Sequence, residues 1–128
     1  MSFTHTHLNS LSTPDGQIVG QFSYSNEAQL MLSEPVPAVT TDMSVLVNID
    51  VSQVKSIYMF STQDLNVETN SPSAPTNTIA LKANKPYVWH TDAYDSFKLT
   101  ADVTALYLTN AGQQPANFEM RVLFDPTI

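Results

Sequence analysis

An all-β, single-domain fold, a sandwich or a barrel, is what this sequence predicts, and three observations predict it. Apolar residues recur with a period of two, most clearly over MSVLVNIDV (43–51) and NFEMRVLF (117–124), the signature of half-buried strands. Strand-like runs return at a spacing of roughly ten residues, separated by Pro- and Asn-containing turns. No stretch carries the 3.6-residue period of an amphipathic helix; residues 26–33 would suffice for one turn at most.

Residues 1–13 are polar, low in charge and rich in Ser, Thr and His, and are expected as a flexible arm; residues 14–128 are expected as the sandwich domain. Pro14-Asp15-Gly16 reads as a turn, with proline presetting φ and glycine free to take a positive one. QIVGQFSY (17–24) is a first strand with Ile18, Phe22 and Tyr24 on one face and Gly20 interrupting it. AQLMLS (28–33) is a short apolar run, and Glu34-Pro35-Val36-Pro37 after it excludes a helix or a central strand there. In 43–51, Met43, Val45, Val47, Ile49 and Val51 share a face, with Leu46 the exception on the other. VKSIYMF (54–60) is apolar on both sides, as a central strand is. DLNVET (64–69) alternates after Ser61-Thr62-Gln63, which predicts a hairpin with 54–60. NSPSAPTN (70–77) is a loop. TIALKA (78–83) offers Ile79 and Leu81 to the core, YVWH follows the Asn84-Lys85-Pro86 turn, and SFKLT (96–100) places Phe97 and Leu99 together. In ALYLTN (105–110) both faces carry large side chains. Asn110-Ala111-Gly112 then ends the strand, the asparagine bonding its own backbone and the glycine taking an unusual φ. Phe118, Met120, Val122 and Phe124 form the inward face of the last strand.

Composition narrows the function classes. The 128 residues contain no cysteine, which excludes a disulfide framework and thiolate metal ligation. Twelve acidic residues against five basic ones give a net charge of −7, and Lys55, Lys82, Lys85, Lys98 and Arg121 are scattered. Nucleic-acid binding needs a basic stripe, so no direct contact with nucleic acid is expected. No run is long and apolar enough for a membrane helix, and the first residues lack the basic and apolar regions of a secretory signal; a soluble chain with no membrane partner is expected.

Chemical motifs are sparse. Glycine occurs only at 16, 20 and 112, so there is no phosphate-binding loop, and no G-x-S-x-G elbow is present. Asp92 with Asp95, or Asp50 with Glu68, could be nominated as an acid–base pair, but their spacing favours neither. His90, Asp92, Asp95 and Asp102 form the richest polar cluster; a loop calcium site near Asp92 stays open, although no EF-hand or HExxH spacing is present. His5 and His7 are an incidental pair with no third ligand nearby in sequence. The expectation is no catalytic residue, no metal site, no cofactor and no enzyme.

Tyr87, Trp89 and Tyr94, with His90 and Asp92, could instead form an aromatic platform for a sugar ring, the basis of a carbohydrate- or receptor-binding alternative. The structural alternative has Trp89 plugging one end of the sandwich, its indole N–H bonded to a carbonyl.

From about residue 55 to 126 the chain resembles the small all-β structural proteins of tailed bacteriophages, above all capsid decoration (cement) proteins. The resemblance rests on VKSIYMFSTQDLNVETN, TIALKANKPYVWH, DVTALYLTNAG and FEMRVLFDP. It implies a jelly-roll-like β-sandwich, made in the host cytoplasm, that sits on the virion's capsid surface as a homo-oligomer, dimer or trimer, against the major capsid protein. The arm over residues 1–13 is similar to those such proteins lay on a shell. The contact residues expected are Phe3, His5, His7 and Leu8 of the arm, with Tyr58 and Tyr107 on one sheet face.

Overall fold

A computed structural model of the chain describes residues 2–26 and 28–127. Met1, Glu27 and Ile128, which fall within the expected arm and sandwich ranges, lie outside the described residues. Among the described residues there are ten strands: β1 (Phe3–Thr13), β2 (Gly16–Asn26), β3 (Ala28–Val36), β4 (Thr40–Ile49), β5 (Val54–Ser61), β6 (Leu65–Thr69), β7 (Thr78–Leu81), β8 (Tyr87–His90), β9 (Val103–Asn110) and β10 (Ala116–Phe124). One short 3₁₀ turn, Val51–Gln53, precedes β5, with Asp50 accepting from the Ser52 N–H at its start.

The last eight strands are a jelly roll. Antiparallel pairs nest inside one another: β3 with β10, β4 with β9, β5 with β8 and β6 with β7. Pairing of β10 with β5 and of β6 with β9 closes two four-stranded sheets, ordered β3-β10-β5-β8 and β4-β9-β6-β7. This is the double-sheet architecture of two Greek keys. The sequence's alternation explains the core between the sheets. Ile57 and Met59 of β5, Phe118, Met120 and Val122 of β10, and Leu106 and Leu108 of β9 are fully buried there. Met43, Val45, Val47 and Val51 pack around them. Pro35 lies in β3, an edge strand, where its missing N–H costs no ladder bond.

Four expectations about elements are corrected. Residues 3–13, expected as a loose arm, form β1, which pairs with β2 along its whole length, from Phe3↔Asn26 to Thr13↔Gly16. The loop between them is Pro14-Asp15, and Gly16 has φ of 146°, so the expected turn is present but joins two strands. β5 and β6 do not form a hairpin: residues 62–64 carry the chain from one sheet to the other. Residues 96–100 are not a strand. Their backbone bonds go to side chains, Lys98 N–H to the Tyr87 hydroxyl and Thr100 N–H to Asn77 Oδ1, both at 3.0 Å, although Leu99 is buried. Gly112 does not take a positive φ. Its N–H donates to Asn110 Oδ1 as expected, at 3.1 Å, while the fully buried Asn110 amide also donates to the carbonyls of Val36, Pro37 and Gln114. That one side chain ties the β3–β4 and β9–β10 connections together.

Candidate interaction surface

The β1–β2 hairpin crosses the outer face of the β3-β10-β5-β8 sheet, and its root is held there by all three histidines of the chain. The register places Gln29, Leu123, Ser56 and His90 in one row across that face. The hairpin lays His5, His7, Phe22 and Tyr24, which share one of its faces, over this row. Ser56 and Leu123 become fully buried in consequence, although Leu123 lies outside the cluster between the sheets.

The polar contacts at the root form one directional chain. His5 Nε2 lies 2.8 Å from Gln29 Oε1, His5 Nδ1 2.8 Å from Ser56 Oγ, and His7 Nε2 2.6 Å from the same Oγ. Gln29 Oε1 can only accept, so His5 Nε2 donates and its Nδ1 accepts the Ser56 proton. Ser56 in turn accepts from His7 Nε2–H. Beside it the Tyr24 hydroxyl donates to Asp92 Oδ2 at 2.5 Å and accepts from His90 Nδ1 at 2.9 Å. Burial, and then the Asp92 hydrogen bond, raise the Tyr24 pKa above its ordinary value. The His90 ring stacks obliquely on His7, with centroids 4.5 Å apart, and on Phe22 at 5.0 Å. Burial, followed by the charges His90 and His5 would carry, lowers the His7 pKa to about 4.

His7 and Ser56 have the atoms of a base and a nucleophile, but Ser56 is fully buried with its hydroxyl shared by two imidazoles. That arrangement fastens the hairpin. His90 joins His5 and His7 only in three dimensions, from a position 83 residues away from His7 in sequence, and no spacing rule reveals it. Among the described residues no group of three or more His, Asp or Glu side chains is arranged to hold a metal ion. Of the acidic cluster, Asp92 bonds Tyr24 and Asp102 accepts from the Val51 N–H at 3.0 Å.

Beyond the root the hairpin is uncovered: residues 8–23 are all exposed. Leu11 and Ile18, paired across the two strands on the same face as His7 and Phe22, are 58% and 72% exposed. The opposite face is knitted by hydroxyl pairs, Thr4 with Ser25 at 2.7 Å and Thr6 with Ser23 at 3.1 Å. Alongside β1 runs a groove of about 710 Å³. Consecutive residues 4–9 form its wall, so the unpaired edge of β1 faces it. Tyr58, Val88, Glu119 and Arg121 form the floor, with Pro86 at one end.

The expected contact residues therefore separate. His5, His7, Leu8 and Tyr58 gather at the hairpin and groove, and Phe3 is half-buried on the face shared with His5 and His7. Tyr107 does not join them. It lies on β9 in the other sheet, opposite Ser44 and Glu68, so Tyr58 and Tyr107 point out of opposite sides of the sandwich. The expectation of one sheet face holding both is corrected; alternation establishes which side of a strand is polar, not which sheet it joins.

The aromatic group also divides. Trp89 and Tyr87 pack against the core from the inner face of β8. Trp89 stacks on Phe97, with centroids 4.2 Å apart and planes 10° apart, and its indole N–H donates to the Asp95 carbonyl at 3.1 Å. His90 points from the other face of β8, Asp92 is bonded to Tyr24, and Tyr94 stands fully exposed. No protein-family model, no curated protein and no solved structure matches the chain.

Proposed function

We propose that this chain is a structural protein of a virion surface, a homo-oligomeric jelly roll that decorates and stabilises a capsid, with the β1–β2 hairpin as its docking arm. The observation that carries the reading is the hairpin beyond its root. Residues 8–23 are exposed, yet they bear Leu8, Leu11, Ile18, Val19 and Phe22. A two-stranded hairpin is marginally stable alone in water, and these apolar side chains gain by being covered. Residues 2–26 contain one formal charge, Asp15, in a chain of net charge −7. An arm so depleted of charge approaches another surface with little desolvation cost, while the acidic body keeps the free protein soluble. Several such arms engaging one shell together convert modest contacts into tight binding through effective concentration.

The test is co-sedimentation with shells assembled from the major capsid protein of the same virus. Saturable binding is expected, with at least a tenfold loss of affinity, about 1.4 kcal/mol, in a Val19→Asp variant of unchanged fold. Failure of the native chain to sediment with the shells rules the reading out.

A further inference from the structure

We infer that the groove beside β1 receives the hairpin tip of a second copy of this chain, so that copies associate by exchanging arms. This deepens the homo-oligomer of the proposed function: Leu11 and Ile18, on the inner face of the tip, meet the second copy, and Leu8 and Val19, on the opposite face, are left for the shell.

The groove has the two parts a strand-binding site needs. Its wall is the unpaired edge of β1, a row of main-chain donors and acceptors, and its floor offers Tyr58 and Val88, which are 40% and 38% exposed. An extended segment laid there would add a strand to the hairpin and drop alternate side chains onto the floor. Sheet edges are ordinarily blunted by charge, proline, bulges or brevity. β7 and β8 have four residues each, β3 carries Glu34 and Pro35, and β4 carries Asp42 and two breaks in its pairing. β1 and β2 have eleven residues each, with no charged residue, no proline and continuous pairing. The hairpin edges are left open to pairing.

Two observations identify the occupant as another copy. The first is continuity. The hairpin's inner face is covered at the root by the outer face of the β3-β10-β5-β8 sheet; the same face continues to Leu11 and Ile18 with nothing beneath it. The groove floor is the uncovered part of that same sheet face. A second copy thus supplies under the tip the surface the first supplies under the root. The second is charge. A partner with the same −7 charge is approachable through a segment almost without charge, and residues 2–26 are such a segment. Leu11 and Ile18, the exposed apolar side chains of that inner face beyond the root, present roughly 230 Å² of the ~800 Å² per partner of a standard interface, to which the main-chain edge of the added strand contributes further. Each contact joins two different surfaces, tip and groove; a reciprocal pair or a closed ring of three satisfies every tip and groove.

Light scattering at tens of micromolar tests this. The native chain is expected at two or three times its 14.1 kDa monomer mass. Leu11→Asp/Ile18→Asp (tip) and Tyr58→Asp/Val88→Asp (groove) are each expected to be monomeric, with unchanged far-UV circular dichroism. Should the groove variant lose its fold, Val88→Asp alone, on an edge strand, replaces it. Mixing the tip and groove variants leaves one intact tip and one intact groove, so a 1:1 heterodimer is expected from the mixture. A monomeric native chain, an oligomeric groove variant, or monomeric variants that do not associate on mixing would each overturn arm exchange. A native monomer that still sediments with shells would overturn the exchange alone, whereas an exchanging oligomer that ignores shells would overturn the decoration reading alone.

Discussion

His7 shows how a single side chain can set the conditions under which the hairpin stays down. Its ring is buried between the sheet and the hairpin, and the groups around it are His5 on its own strand, Tyr24 on β2, Ser56 on β5 and His90 on β8. Asp92 lies on the far side of Tyr24, and Glu119 and Arg121 of β10 line the groove beside it. The docked hairpin favours neutral His7, with a pKa of about 4 against an ordinary 6.5. Docking is therefore fully stabilised above pH 6.5 and weakens as pH falls from there towards 4. At pH 5 the His7 contribution alone removes about 2 kcal/mol of docking. NMR titration of the imidazole protons, with hydrogen exchange of the amides of residues 3–8, measures both parts. Expected are a His7 midpoint well below 6 and faster exchange at pH 5 than at pH 7.5; a midpoint near 6.5 with unchanged exchange would refute the latch.

At the scale of the element, the strands facing the core were legible and those facing outwards were not. Met43, Val45, Val47 and Ile49, or Phe118, Met120 and Val122, alternate because one side of each strand meets the other sheet. In β1 the buried face is built from Phe3, His5 and His7, and the other from threonines, so a hydrophobic pattern does not register it. The alternation His-Thr-His is nonetheless a strand pattern in which imidazoles take the place of aliphatics. Residues 62–64 illustrate a second limit: a short polar connection serves a hairpin and a sheet-to-sheet corner equally, and side-chain periodicity is the same in both. Trp89 was legible as a structural plug, since one indole N–H near loop carbonyls has to be satisfied. It fastens β8 to the 91–100 segment through Phe97 and Asp95. Trp89→Ala is expected to cost about 2–4 kcal/mol and to lower Tm by roughly 5–15 °C in calorimetry. A glycan array should show no saturable sugar signal in the native chain for the substitution to abolish; such a signal, lost on substitution at unchanged Tm, would restore the sugar-platform reading.

For the whole molecule, charge placement and architecture point to one mode of association. The jelly roll uses the inner faces of both sheets for its own core, and the hairpin root takes up part of one outer face. On that side of the molecule the tip and the groove remain uncovered, and the tip brings no formal charge except Asp15 at its turn. Copies of net charge −7 repel one another through their bodies, and added salt screens that repulsion: the Debye length falls from about 20 Å at 20 mM to about 4 Å at 500 mM. A contact built on ion pairs, such as one using Arg121 and Glu119 of the groove, would weaken under the same change. An apolar contact between acidic bodies should strengthen, because screening removes the opposing term and leaves apolar burial intact. Sedimentation velocity over that salt range is thus expected to show a several-fold tighter self-association at 500 mM. Dissociation with rising salt would place the contact on charged residues and remove the uncharged hairpin from the interface.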